Sequence, residues 1–253
     1  MLATCSPNPG TLERVLGNGV LRVATTNSPT TCYDGPAGPT GYECDLLRGL
    51  AEKIGVKLEL VYLANGSQVL DYVAGGKVDI GAAGINVTSA RSEQVRFTKP
   101  VQTVHQQLVY RADQKKPRDP GDLDGKLAVP LGSSMAERLV QLRASRYPTL
   151  QWLEVPDAGG NDLLARVADG ELTYTIANSD LVALNRRHAP KLKVAFDLSG
   201  VEDIAWALQL GRDASLYDRV QDYLTTLPET ELANLRERHF GVVENDEYLG
   251  GHW

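Results

Sequence analysis

Apolar positions in the first part of the chain follow strand spacing and helix spacing in turn. Residues 21–25 form a short apolar run, whereas the apolar positions 46, 47, 50, 51 and 54 repeat at the spacing of a helix face. Residues 57–62 alternate and are rich in β-formers. The pattern predicts strands at 21–25, 57–62, 78–83 and 106–110 and helices at 45–54 and 67–74. This β-α-β-α-β order indicates a parallel sheet with helices on its faces.

A second unit follows residues 113–124, which are rich in proline and charge. Ser134 with Glu137 three residues later is typical of a capping box, so we expect a helix to begin at Ser134. The pattern predicts strands at 127–129, 151–155, 174–177, 192–196 and 204–210. It predicts helices at 134–147, 162–168, 179–188, 216–227 and 229–240.

The two units predict an α/β protein of two lobes. We place the first lobe at 19–110 plus 204–250, because the chain returns to it near residue 204, and the second lobe at 111–203. Residues 1–18 are expected to be a polar lead. Ligands of open α/β sheets bind beyond the carboxyl ends of the strands, so a cleft between two such lobes is a natural binding site. Hinges in the crossing strands would close that cleft.

Composition excludes some partners. The chain has 253 residues, with 26 Lys or Arg against 32 Asp or Glu, and a formal net charge of -6. This acidic balance gives no electrostatic footprint for nucleic acid. No apolar run approaches the roughly 20 residues that a membrane helix needs. We expect a globular monomer without a nucleic-acid partner.

The three cysteines raise two separate questions. Cys5 lies in Leu2-Ala3-Thr4-Cys5-Ser6, which resembles the end of a bacterial lipoprotein signal, although the apolar region expected before it is missing. We interpret it as a truncated signal whose Cys5 is lipidated in the native precursor. Cys32 and Cys44 are twelve residues apart, and either a disulfide between them or two free thiols is compatible with the sequence.

Motifs of the common enzyme classes are absent from the sequence. The four histidines do not pair at the spacing of a helical zinc site, and there is no G-x-S-x-G elbow, Walker loop or G-x-G-x-x-G after the first strand. We find no pair of carboxylates suited to acid–base catalysis. We therefore expect neither a metal nor a cofactor. The Gly-Ala-Ala-Gly segment at 81–84 suggests close approach of the backbone to a ligand.

One arginine is a candidate for anion binding. A predicted strand ends at Gly84, a polar loop follows, and Arg91 comes shortly before Phe97-Thr98-Lys99-Pro100. An arginine in this place could hold a carboxylate with two parallel charge-assisted hydrogen bonds. Backbone amides at 84–88 could complete an anion cradle. From spacing alone, a solvated surface arginine is the simpler interpretation.

A family resemblance changes that balance. The N-x-T-x-x-R-x-x-x-x-x-F-T-x-P pattern of 86–100 resembles the signature of the family 3 amino-acid-binding proteins of bacterial ABC transport. Residues 41–46 (GYECDL), 78–80 (VDI) and 235–241 are similar to three further segments of that family, so the resemblance covers about 19–241. It implies a type II periplasmic binding protein fold, with a ligand cleft between two α/β lobes.

A narrower resemblance concerns the segments 21–29, 38–41, 106–111 and 174–179. They are similar to the N-terminal domain of the membrane-bound lytic murein transglycosylase F family, which couples a binding-protein-like regulatory domain to a C-terminal lysozyme-like catalytic domain. The Glu-Ser motif of that catalytic domain is missing from this sequence. The resemblance therefore implies a non-catalytic sensing module of a periplasmic enzyme anchored to the outer membrane.

The resemblance also implies roles for individual residues. Arg91 matches the arginine that holds the ligand α-carboxylate, and Asn178 stands where transport proteins usually place an aspartate against the α-ammonium. Asparagine lacks that charge, which would weaken binding of a free amino acid or favour a peptide. Asp180, two residues further on, is the alternative partner for the ammonium, but helix spacing should turn it away. The remaining matches are the loop residues Gly84 and Asn86, the second-lobe helix start Ser133 and Ser134, and the first-lobe loop Thr26, Asn27 and Tyr33.

Three functions follow from these patterns. The leading hypothesis is the regulatory domain of a murein transglycosylase, which binds an amino acid, a small peptide or a peptidoglycan fragment. The first alternative is a stand-alone receptor of an ABC importer, distinguished by a gene that stops soon after Trp253. The second is a dehydratase on the same fold, similar to cyclohexadienyl dehydratases, which would need an acid in the cleft near Arg91.

Overall fold

Two five-stranded sheets organise the protein in a computed structural model that describes residues 10–241. The strands are β1 Val20–Thr26, β2 Tyr33–Gly35, β3 Gly38–Thr40, β4 Lys57–Leu63, β5 Ile80–Gly81, β6 Val95–Phe97, β7 Gln102–Val104, β8 Gln106–Arg111, β9 Leu127–Pro130, β10 Leu153–Val155, β11 Tyr174–Asn178, β12 Leu192–Asp197, β13 Glu202–Ile204 and β14 Ala207–Gln209. The helices are α1 Thr11–Asn18, α2 Tyr42–Ile54, α3 Gly66–Ala74, α4 Ser89–Ser92, α5 Ser134–Ser145, α6 Gly160–Ala168, α7 Ser179–His188, α8 Ser215–Thr226 and α9 Glu229–Phe240.

Both sheets mix parallel and antiparallel pairing. The first has the order β4-β1-β5-β14-β6, in which β1 runs parallel to β4 and β5, with Val23 opposite Leu60 and Ile80. The second has the order β10-β9-β11-β8-β12, in which β9 runs parallel to β10 and β11. In each sheet, the strand by which the chain arrives from the other lobe pairs antiparallel with its neighbour. This strand is β14 in the first sheet and β8 in the second. The parallel strands deliver helix beginnings to one edge of each sheet.

Each sheet buries an apolar cluster on both of its faces. In the first lobe, Leu21 and Val23 pack with α2 and α8 on one side, and Ala24 packs with α3 on the other. In the second lobe, Leu108 packs with α5 on one side and Val109 with α6 and α7 on the other. Adjacent residues of a strand face opposite sides, so two-sided burial produces near-continuous apolar strands. That burial accounts for the unbroken apolar runs in the sequence.

Three differences from the prediction concern how the lobes are built. Residues 11–18 form helix α1, which buries Val15 against α8, rather than a polar lead. Strand β8 pairs in the second sheet, although we predicted it within the first lobe. The single strand predicted at 204–210 was wrong, because β13 pairs with β7 whereas β14 pairs with β5 and β6. The last two differences concern strands near the crossing between the lobes. An apolar run there predicts a strand but does not show in which sheet the strand pairs.

The crossing itself is a two-stranded antiparallel ribbon. Strands β7 and β13 pair through Thr103 and Asp203, and the chain enters the second sheet directly after β7 and leaves it directly before β13. Both connections are therefore short and adjacent. Such a pair of crossing segments allows the lobes to rotate about one axis.

Candidate functional site

A cavity of about 100 Å³ lies between the lobes. Helices α3, α5, α6 and α7 begin there, since their N-cap residues Asn65, Ser133, Gly159 and Asn178 line its wall. The first amides of a helix have no intrahelical acceptor, and the helix dipole adds positive potential at that end. Helix beginnings from both lobes therefore make the cavity favourable for an anion.

Arg91 carries the positive charge of the cavity. Its side chain is only 7% exposed, and it donates from Nη1 to the carbonyl of Asn86 at 2.9 Å and from Nη2 to the carbonyl of Gly132, in the other lobe, at 3.3 Å. Among residues 10–241, no carboxylate lies within 4.0 Å of its guanidinium nitrogens. Burial lowers the pKa of Arg91, and the more distant carboxylates of Glu137 and Glu202 oppose that shift. The guanidinium is thus buried and unpaired, and it has donors to spare.

Two asparagines join the lobes across the cavity. Asn86 Nδ2 donates to Asn178 Oδ1 and Asn178 Nδ2 donates to Asn86 Oδ1, both at 2.9 Å. Asn86 Nδ2 also donates to Glu202 Oε1 at 2.9 Å, in the ribbon between the lobes. The reciprocal pair satisfies both buried amides without a ligand. It also connects the site to the segments about which the lobes rotate.

Further polar contacts close the cleft at its edges. Asn65 Nδ2 donates to the carbonyl of Pro156 at 2.8 Å, and Thr88 Oγ1 donates to Glu137 Oε1 at 3.3 Å. Gly132, in the left-handed region at φ 66°, approaches Ser67 so closely that an added Cβ would lie 2.7 Å from its Oγ. The lobes are in direct contact around the cavity, so the structure represents a closed arrangement.

Two acids lie near the arginine, Asp180 at the cavity and the buried Glu43 behind its wall. Asp180, in the first turn of α7, lines the cavity, and its Oδ1 accepts the N–H of Leu181 at 2.7 Å. Burial raises the pKa of Asp180 to about 6, against the lowering effect of two backbone N–H groups. Glu43 lies behind the cavity wall and accepts the N–H of Gly84 at 2.9 Å; burial raises the pKa of Glu43 to about 8, which that bond partly offsets. The cavity therefore carries one basic and one acidic side chain suited to a zwitterion.

Most of the predicted site residues meet at this cavity. Tyr33 does not line it, because it belongs to the short hairpin of β2 and β3, which leaves the wall after Thr31. The residues that do line it are Thr26, Asn27, Gly84, Asn86, Arg91, Ser133, Ser134 and Asn178.

Two expectations about neighbouring side chains need correction. The N-cap of α5 is Ser133, whose Oγ accepts the N–H of Ala136 at 3.2 Å, so the capping box predicted at Ser134 was wrong. Glu137 instead reaches across the cleft to Thr88. Asp180 faces the cavity, although helix spacing suggested that it would turn away. The signal for Asp180 was its place in the first turn of a helix that begins at the site.

Cys32 and Cys44 are free thiols, and both are buried. Cys5 and its predicted lipidation fall outside the described residues. Among residues 10–241, no group of three or more His, Cys, Asp or Glu side chains has an arrangement that could hold a metal. In the same range no helix is sufficiently long and apolar to cross a bilayer.

The two lobes, the closing contacts and the interlobe cavity define a two-lobed α/β binding protein. The chain belongs to the bacterial extracellular solute-binding proteins, family 3, whose family model matches residues 21–242. A curated relative, membrane-bound lytic murein transglycosylase F 1 of Alkalilimnicola ehrlichii, is 39% identical over 247 residues, which cover 96% of this chain and 50% of that protein. The chain spans about half the length of the curated relatives it matches.

Solved structures confirm the predicted fold class. The cysteine-binding protein of Campylobacter jejuni has a TM-score of 0.80 at 21% identity, over 93% of this chain and 96% of that one. The ancestral amino-acid-binding protein AncCDT-1, a precursor of cyclohexadienyl dehydratase, has a TM-score of 0.77 at 25% identity, over 91% and 99% of the two chains. The type II periplasmic binding fold with two lobes is thus the architecture of this protein.

Proposed function

We propose that the chain is the non-catalytic sensor domain of a periplasmic murein lytic transglycosylase, anchored to the outer membrane, that binds an amino acid or a small cell-wall peptide. Arg91 carries the proposal. A buried guanidinium without a paired carboxylate is costly, and a ligand carboxylate in the cavity would supply the missing partner. The transglycosylase context is supported by the 39% identity to a protein of that name.

The proposed binding mode uses both charged ends of the cavity. The guanidinium of Arg91 receives the ligand carboxylate in a two-bonded fork, and the free amides at the beginning of α5 receive the same group. Asn178 offers no charge to a ligand ammonium, whereas the Asp180 carboxylate lines the same cavity. Asp180 therefore takes the ammonium in this proposal. The closing bonds between Asn86 and Asn178 form the cavity wall between the two ends.

Regulation would act through the last helix. At the end of α9, His239 Nε2 lies 2.6 Å from Asp45 Oδ2 on α2, while the carbonyl of Phe240 accepts a hydrogen bond from Arg187 on α7. Helix α9 therefore touches both lobes. A ligand that favours closed lobes by binding them more tightly would shift the position of α9, and a monomeric sensor could pass that shift to a catalytic domain.

The test is the affinity of Arg91→Ala for carboxylate ligands. Calorimetric titration would use single L-amino acids and peptidoglycan stem peptides released by amidase digestion. Two charge-assisted hydrogen bonds contribute about 1.5–3 kcal/mol each, so we expect a loss of at least about a hundredfold. Arg96→Ala is the control, because Arg96 is an arginine of the same lobe outside the cavity, where it donates to the carbonyl of Gly211 and lies over the ring of Tyr217. Equal affinities for both variants would overturn the assignment.

Two other functions remain as alternatives. A stand-alone importer receptor would bind the same ligands, and the length of the gene beyond the codon for Trp253 separates it from the sensor domain. A dehydratase is favoured by one observation, since Asp180 combines a cavity position with a pKa of about 6. Turnover of prephenate or arogenate that is lost in Asp180→Asn would support that enzyme over the sensor.

A further inference from the structure

Two buried thiols stand directly behind the cavity wall. Cys32 follows the 26–31 segment, most of which lines the cavity, and Cys44 lies in the first turn of α2. Both residues are 0% exposed. Neither takes part in the ligand contacts proposed above, so their function is a separate question from the identity of the ligand.

The backbone brings these two residues together. The N–H of Cys44 donates to the carbonyl of Thr31, the residue directly before Cys32, at 3.2 Å. Gly41 permits this approach, because its φ is 131° and a Cβ there would lie 2.1 Å from the carbonyl oxygen of Thr31 and 3.4 Å from the Cα of Cys32. A larger residue at position 41 would force the segment and the helix apart.

The two side chains also influence each other's ionisation: the Cys44 thiol, together with burial, raises the pKa of Cys32, and the Cys32 thiol lowers the pKa of Cys44. A lowered pKa increases the thiolate fraction, which is the attacking species in disulfide exchange. The backbone bond from Cys44 to Thr31 holds the two cysteines on adjoining segments, which is the first geometric demand of a disulfide.

We propose that Cys32 and Cys44 form an intrachain disulfide that fastens the 26–31 segment of the cavity wall to α2. In this step two S–H bonds break and one S–S bond forms, while two electrons and two protons pass to an oxidising disulfide donor, which is reduced to two thiols. The family is extracellular, and disulfides persist outside the cytoplasm. Because both thiols are buried in the folded chain, the exchange takes place before α2 docks against the segment.

The bond would close a loop of 13 residues, from 32 to 44. Closing a loop of this length lowers the conformational entropy of the unfolded chain. In a domain of this size that should raise the melting temperature by roughly 6–12 °C. It would also slow hydrogen exchange of the amides at 26–31, since the segment could no longer separate from α2.

The experiment uses the chain with Cys5→Ser, so that Cys32 and Cys44 are its two thiols. After refolding with reduced and oxidised glutathione, the protein is denatured, treated with iodoacetamide and digested. Trypsin leaves both cysteines in the peptide 23–48, and cleavage before Asp34 opens the loop between them. A disulfide appears as an unalkylated peptide ~2 Da lighter than the dithiol, which remains joined after cleavage at Asp34.

We expect the joined peptide to predominate, and reduction with dithiothreitol to lower the melting temperature by roughly 6–12 °C and speed exchange at 26–31. Reduction should leave the double variant Cys32→Ser/Cys44→Ser unchanged. Alkylation of both cysteines after oxidative refolding would overturn the proposal, as would unchanged exchange at 26–31 on reduction. These readouts need no ligand, and therefore stand apart from the test of Arg91.

Discussion

The reciprocal amide pair between Asn86 and Asn178 predicts a measurable preference for closed lobes. Its two N–H···O bonds, each 2.9 Å, exist when the lobes meet, whereas water would solvate both amides in an open form. A hydrogen bond contributes about 0.5–1.5 kcal/mol net, so the pair favours closure by about 1–3 kcal/mol. In Asn178→Ala we expect the ratio of closed to open molecules to fall by a factor of about 5–150.

Small-angle X-ray scattering of the ligand-free protein measures this change as an increase in the radius of gyration. The matched control is Asn185→Ala, since Asn185 lies on the same helix and its Nδ2 donates to Asn161 Oδ1 at 2.9 Å within one lobe. Removing that bond costs a similar hydrogen bond but leaves the interlobe contacts intact. The control should therefore retain the original radius.

A second variant tests whether the two amides act as a unit. Asn86→Ala removes the same pair together with the bond from Asn86 to Glu202, so it should open the lobes at least as far as Asn178→Ala. The double variant should open little further than Asn86→Ala alone, because the shared bonds can be lost once and the remaining bond from Asn178 Nδ2 to the carbonyl of Gly84 is long, at 3.4 Å. Identical radii for Asn178→Ala, Asn185→Ala and the unchanged protein would refute the reasoning.

Two further predictions concern the cavity wall. Gly132→Ala should hold the lobes apart and weaken ligand binding, because the φ of Gly132 is 66° and the new Cβ would lie 2.7 Å from Ser67 Oγ. The control in the same scattering measurement is Gly200→Ala, because no atom lies within 4 Å of its added Cβ. The second prediction concerns Glu43, which releases its proton near pH 4.5 in the unfolded chain and near pH 8 in the folded chain. Between these values the unfolded state binds fewer protons than the folded state. The free energy of unfolding therefore falls as pH rises through this range, by at most about 1.4 kcal/mol per pH unit. Chemical denaturation at pH 5 and pH 8 should show a smaller fall in Glu43→Gln, and equal slopes would contradict the raised pKa.

Local patterns in the sequence predicted the bounds of some helices well, both α7, which packs on the second sheet, and α9, which packs on α2 and α7. Helices α7 and α9 begin and end where their apolar spacing placed them, at 179–188 and 229–240. The strands at the crossing were harder, since 204–210 divides between β13 and β14 and β8 joins the second sheet. Pairing partners of a strand lie far along the chain, and its own side chains specify burial but not which neighbour provides it.

Some features of the candidate site likewise followed from the sequence, whereas others followed only from the tertiary structure. The sequence by itself determined the two α/β units, the loop that carries Arg91 and the helices that begin at Ser134 and Ser179, because these depend on local spacing and on motifs that resemble one family. The tertiary structure alone decided that Asn86 meets Asn178, 92 residues away, and that Asp180 enters the cavity while Tyr33 stays outside. Residues from separate lobes meet only when the lobes close, and the free energy of that contact depends on both surfaces together. A local sequence pattern describes one surface at a time and therefore does not predict such a contact.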